Sequence, residues 1–139
     1  MKLYLDSMLW IYYFEGHATF GPPTQSFVHR MRSAQSDFIA SHLNLAEVLV
    51  IPKRNGDLFT ATRYRRFFTS SAVNVAPFTT DTAERFADIR ASTRAKPADA
   101  LHLALAASAA VNYFVTTDTK LHLLSVPGIA HICPPDAIP

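Results

Sequence analysis

The sequence predicts an α/β fold, with a parallel sheet covered by helices on both faces. Two observations lead there. Short apolar runs of strand length alternate along the chain with longer stretches of helical character, the pattern of successive βαβ units. The 139 residues are 49% apolar and 17% charged, which suits one globular domain with a sizeable core. That domain is expected to span residues 1–139.

The elements follow in order. Lys2 to Leu5 reads as a strand and Ser7 to Phe14 as an aromatic-rich helix, which leaves Asp6 at the strand's carboxyl end. Gly16 to Pro23 reads as a loop, with His17, Gly21, Pro22 and Pro23 all unfavourable to regular structure. Thr24 can cap a helix to about Ala34, with Phe27, Val28 and Met31 on one face. Phe38 to Ser41 is a short strand. Leu43 to Arg54 reads as a helix with Glu47 early in it and Pro52 disturbing its last turn.

Asn55-Gly56-Asp57 is a helix stop followed by a new cap, and the next helix, Leu58 to about Thr69, carries Arg63, Arg65 and Arg66. Val73 to Phe78 reads as an edge strand broken at Pro77. Thr80 is expected to cap a helix from Asp81 to Thr93, and Lys96-Pro97 opens another that runs to about Ala110. Tyr113 to Thr116 is a strand, Lys120 to Ser125 a short helix and Ile129 to Cys133 a last strand. The proline-rich tail should end regular structure.

Composition excludes several classes. Cys133 is the only cysteine, so neither an intrachain disulfide nor a thiolate zinc site is possible. The glycines, Gly16, Gly21, Gly56 and Gly128, form no phosphate-binding or dinucleotide motif. Asp6 interrupts the first apolar run, which argues against a signal peptide. The most apolar segment, Ala100 to Val115, falls short of the ~20 residues a membrane span needs. A soluble, cytoplasmic protein is expected. Its formal charge of +2 does not by itself announce nucleic acid.

Four acids fall at matching places. Asp6 ends the first strand, Glu47 and Asp99 lie in the opening turns of helices, and Asp118 follows the fourth strand. All are candidates for one rim, the carboxyl end of a parallel sheet, where ligands bind in such folds. Taken singly, Glu47 or Asp99 reads first as an acid satisfying a helix N-terminus, and Asp118 as a turn residue. Yet Glu47 and Asp99 both sit amid apolar neighbours. Two carboxylates about 5 Å apart repel by roughly 3 kcal/mol at an effective dielectric of 20. Several such pairs would erode much of a domain's ~5–15 kcal/mol of stability, so a cluster asks for protons or for a cation. Oxygen donors without Cys or His suit Mg²⁺ or Mn²⁺. A metal held there lowers the pKa of bound water and offsets charge on a phosphoryl oxygen, which suits phosphodiester hydrolysis.

Four segments carry a resemblance: Tyr4-Leu5-Asp6-Ser7, Ser41 to Leu49, Ala98-Asp99-Ala100-Leu101-His102-Leu103-Ala104, and Phe114-Val115-Thr116-Thr117-Asp118. In their order and spacing they resemble the PIN domain, and most of all the VapC-type toxins of toxin–antitoxin pairs. The resemblance implies a three-layer α/β/α sandwich with a mostly parallel central sheet of four to five strands. It implies a Mg²⁺- or Mn²⁺-dependent endoribonuclease with an acidic pocket of Asp6, Glu47, Asp99 and Asp118, supported through hydrogen bonds by Ser7 and Thr116. It also implies a homodimer silenced by a cognate antitoxin. Met8 departs from the pattern, since many relatives carry a small polar residue there. That departure and the weak net charge keep a second reading open, a PIN-like scaffold that binds RNA or protein without cutting.

Other residues carry weaker signals. Arg63, Arg65 and Arg66 could track an RNA backbone, or form a solvated helix face. His102, one turn after Asp99, reads as a packed and hydrogen-bonded histidine before it reads as a proton donor. Trp10, Tyr12, Tyr13 and Phe14 exceed what one helical face needs. Core packing accounts for most of them, and a dimer or antitoxin groove for the excess.

Overall fold

Five parallel strands form one sheet in the order β3-β2-β1-β4-β5, comprising β1 (Lys2–Leu5), β2 (Asp37–Ala40), β3 (Asn74–Val75), β4 (Tyr113–Val115) and β5 (His131–Cys133). The computed structural model describes residues 1–139. Side chains alternate across the sheet, as the period of two requires. Leu3, Leu5, Phe38, Ala40 and Val115 enter one core, while Tyr4, Ile39 and Phe114 enter the other.

Helices α1 (Ser7–Glu15), α2 (Gly21–Ser33), α3 (His42–Val48), α4 (Val50–Arg54) and α5 (Leu58–Phe68) lie on the first face. They supply Trp10, Met31, Val48, Tyr64 and Phe68 to its core. Helices α6 (Thr80–Ser92) and α7 (Pro97–Ser108) lie on the second face and supply Ile89, Ala100 and Leu103. The result is the expected three-layer α/β/α sandwich. Trp10 is fully buried, ringed by Phe67, Phe38, Phe68 and Tyr13 at 5.0 to 6.1 Å between centroids. The aromatic excess of α1 is mostly packing: Tyr12, Tyr13 and Phe14 are half-buried against the same core.

Several boundaries differ from the expected ones. Helix α2 begins at Gly21, not Thr24, because Pro22 and Pro23 occupy the first turn, where no N–H is needed. The helix expected from Leu43 to Arg54 is two, α3 and α4, joined at Leu49. Pro52 has no N–H to offer the carbonyl of Val48, so the ladder cannot continue unbroken. Ile51, beside Pro52, is exposed. The third strand is cut to two residues at the sheet edge. Thr79, not Thr80, caps α6, in a reciprocal pair with Thr82. Leu121–Leu123 is a 3₁₀ turn instead of a helix.

The tail does not simply end structure. Pro135–Ala137 forms a 3₁₀ turn, Ile138 is buried in the first core, and Arg30 Nη1 donates to the Ile138 carbonyl at 3.1 Å. Gly56 lies at φ +65°, as the expected helix stop requires, and Asp57 then accepts from the Thr60 N–H to cap α5. No helix is long and apolar enough to cross a membrane.

The sheet order places the site. From β1 the chain winds outward through β2 and β3, then returns to the other side of β1 for β4 and β5. The order therefore reverses between β1 and β4, and the carboxyl ends of those two strands form the crevice where such sheets bind ligands.

Candidate metal and nucleic-acid site

Asp6 leaves the sheet at that crevice. Its N–H still donates to the Val115 carbonyl at 3.0 Å, extending the β1–β4 ladder by one step. Its side chain then caps α1, with Oδ1 accepting from the Met8 N–H at 2.8 Å. Thr116, fully buried at the end of β4, donates its hydroxyl to Asp6 Oδ2 at 2.5 Å and accepts the Asp118 N–H at 3.1 Å. One threonine thus ties the first acid to the loop bearing the last. Met8 supplies only its backbone here, and its half-exposed side chain lines the cavity.

Glu47, on α3, is held from two sides. Ser7 Oγ donates to its Oε1 at 2.7 Å, and His102 Nε2 bonds the same oxygen. The His102 bond first, and the Ser7 bond further, keep the Glu47 carboxyl below its ordinary pKa, against the effect of partial burial.

Behind this pair lies a closed polar ring. His102 Nδ1 meets the Tyr4 hydroxyl at 2.7 Å, which meets Ser41 Oγ at 2.7 Å. Ser41 and Asn44 cap α3 reciprocally, and Asn44 Nδ2 donates to Ser7 Oγ at 3.0 Å. Tyr4, Ser41, Asn44 and His102 are all buried, and each has its polar atoms satisfied within the ring. Burial raises the Tyr4 pKa, so its hydroxyl keeps its proton. The packed-histidine expectation for His102 holds, but the same ring also grips a candidate site acid.

Asp6, Ser7, Glu47, Asp99 and His102 line one cavity of about 310 Å³. Asp118 does not line it. It shares a neighbouring cavity with Asp99, so Asp99 stands between the two. Arg63, Arg65 and Arg66 line neither cavity: Arg63 donates to the Phe14 carbonyl and lies over the Phe14 and Phe59 rings.

Asp99 carries the electrostatic signature of the site. Burial first, then the charges of Asp118 and, more weakly, Asp6, hold its pKa above the ordinary value, while His102 and Lys96 offset part of this. A group whose pKa is raised by folding lends stability that is fully present below its unfolded pKa and lost as pH rises through its folded pKa. At pH 7 the ionised Asp99 therefore weakens the fold. Asp99→Asn should raise the melting temperature at pH 7 in EDTA-containing buffer, and a lower melting temperature would refute the strain.

The donor chemistry can be weighed against a divalent cation. No three His, Cys, Asp or Glu side chains stand close enough to hold an ion as they are placed. The chain's ion pairs are Arg85–Asp81 and His102–Glu47, so Asp6, Asp99 and Asp118 form no contact ion pair, though Lys96 and His102 act on Asp99 from further off. Carboxylate oxygen donors of this kind suit a hard ion such as Mg²⁺ or Mn²⁺.

Sequence reasoning located the four acids, Ser7 and Thr116, but gave no role to Tyr4, Ser41 and Asn44. The Ser41-x-x-Asn44 spacing is a capping signal, yet nothing local says that this cap is buried against Ser7.

The sequence model of the PIN domain family matches residues 3–126. Among solved structures, the chain is similar to one described as VapBC2 from Rickettsia felis bound to a DNA fragment from their promoter. The TM-score is 0.74 and the identity 14%, over 96% of this chain and 97% of that one. It is also similar to a toxin–antitoxin complex from Klebsiella pneumoniae, with a TM-score of 0.64 and 24% identity over 91% and 94% of the two chains. At these identities the likeness concerns the fold. No curated protein sequence gives a significant match.

Proposed function

The chain belongs to the PIN domain family, and from that premise we propose that it is a metal-dependent endoribonuclease, the toxin of a toxin–antitoxin pair. The observation that supports this reading is that Asp6, Asp99 and Asp118 lie around the carboxyl ends of β1 and β4, with Asp99 lining both cavities and feeling the charges of the other two. Asp6, Asp99 and Asp118 would hold Mg²⁺ or Mn²⁺, with Glu47 at the edge of the same cavity. When bound, the ion supplies an activated water and offsets charge on the phosphoryl oxygens.

The chain's own residues do the positioning. Thr116 and the Met8 N–H orient the Asp6 carboxylate, leaving each of its oxygens a further lone pair. Ser7 and His102 occupy Glu47 Oε1, so Oε2 is the oxygen free to act on a water or a metal. Phe114 and Leu121 form apolar walls in the same cavity and limit access of bulk water.

The fold neighbours described as toxin–antitoxin complexes support a cognate antitoxin as partner. We extend the proposal to a homodimer of one PIN domain over residues 1–139, acting on RNA in the cytoplasm. A second reading, a scaffold that binds RNA or protein without cutting, draws on the spacing of the acids, which does not close around an ion unaided.

One experiment separates the two. With Mn²⁺ at a hundredfold its dissociation constant, binding adds about 2.7 kcal/mol of stability, several degrees in melting temperature. RNA cleavage is expected to appear with Mg²⁺ or Mn²⁺ and vanish in excess EDTA. A flat melting temperature and no cleavage favour the scaffold, and cleavage that persists in EDTA sinks the metal mechanism.

A further inference from the structure

The second cavity, beyond Asp99, has a chemistry of its own. It encloses about 390 Å³ and is lined by Arg94, Lys96 and Lys120 as well as by Asp99 and Asp118. The cations come from two separate pieces of chain, the segment entering α7 and the loop after β4. All three residues are exposed. None forms an ion pair, although two carboxylates line the same cavity.

Other arginines of the chain are committed to the fold. Arg30 donates to the Ile138 carbonyl, Arg85 to Asp81 and the Pro127 carbonyl, and Arg90 to the Ala95 carbonyl. Arg94, Lys96 and Lys120 make no such bonds through their side chains. The Lys120 N–H does donate to Asp118 Oδ1 at 3.0 Å, which fixes the loop that carries both charges.

A polyanion approaching this crevice meets carboxylates first, and roughly 3 kcal/mol of repulsion per close pair opposes it. Cations left unpaired in a concavity that shares Asp99 with the acid cavity would offset that repulsion. They would also hold the strand in register with the acids, a task that a scattered solvated face does not perform.

We propose that this cavity seats backbone phosphates of single-stranded RNA beside the bond to be cut, with Arg94, Lys96 and Lys120 as the phosphate-binding residues. The assignment rests on the nuclease reading for the identity of the strand as RNA and for the bond to be cut, but not for the phosphate contacts themselves. It moves substrate binding from the α5 arginines to the loops flanking Asp99 and Asp118.

The test is binding, measured apart from cleavage. Arg94→Ala, Lys96→Ala and Lys120→Ala are combined in an Asp6→Asn background, where Asn retains the helix cap. Fluorescence anisotropy then follows a labelled single-stranded RNA of about 12 nucleotides, within the usual range of single-strand sites, across a salt series. Each lost phosphate contact lowers the slope of log K against log salt by about 0.7, so the triple variant should lose about 2 from the slope. Binding at low salt should weaken at least about tenfold. Lys96→Gln with Lys120→Gln, a milder pair, should lose about 1.4 from the slope and guards against a folding defect in the triple variant.

Unchanged affinity and slope in both variants overturn the assignment. So does a loss of binding that instead follows replacement of Arg63, Arg65 and Arg66 by Ala. Cleavage by the unsubstituted chain is scored separately: an RNA bound with the expected slope but never cut refutes the nuclease reading and upholds the cavity.

Discussion

Asp6→Asn should lower the rate of RNA cleavage by at least about 10²–10³-fold, the scale on which loss of one preorganised charge-stabilising group is felt. The substitution is close to isosteric and keeps the helix cap. Asn caps helices as well as Asp does, so the bond from the Met8 N–H to the side-chain oxygen survives. The amide NH2 then faces Thr116, whose hydroxyl can accept from it in place of donating. What disappears is one negative charge at the β1–β4 switch point. A steady-state cleavage assay in Mg²⁺, paired with a thermal melt, checks both halves. Activity within tenfold of the parent would remove Asp6 from the reaction, and a collapsed melt would show that the residue is structural.

Trp10→Ala should cost about 3–5 kcal/mol, a large share of the ~5–15 kcal/mol available to a domain of this kind. The ring is fully buried, and the aromatic side chains around it come from α1, β2 and α5. Removing it opens a cavity where three elements meet, and α1 loses its anchor to the sheet that positions Asp6 and Ser7. The indole N–H is buried without a hydrogen-bond partner. Trp10→Phe therefore breaks no hydrogen bond and should cost well under the Ala variant. Urea melts of the two variants measure the difference. Equal costs would mean that the indole N–H finds a partner after all.

Much of the site could be read along the chain because its acids sit at element ends. Asp6 follows a short apolar strand, and Asp99 follows a Pro at a helix start, so both positions are set by local rules. Two of the misplaced boundaries share a cause. The start of α2 at Gly21 and the break at Leu49 both turn on prolines, which either begin or interrupt a helix according to context. Ile138 was unreadable for another reason: a single apolar residue among prolines has no periodicity, and only the groove beneath it makes it core.

The sequence alone determined the α/β class and the parallel sheet and marked four acids as candidates, since periodicity, capping and the order of apolar runs are local properties. Tertiary structure decided how those acids are partnered. It gave Glu47 to His102 and Ser7, joined Asp6 to the Asp118 loop through Thr116, and set Asp99 between two cavities, one of them lined by Arg94, Lys96 and Lys120. Those pairings join residues up to 110 positions apart. Coulomb forces and hydrogen bonds act through space over a few ångströms, so no spacing along the chain could have announced them.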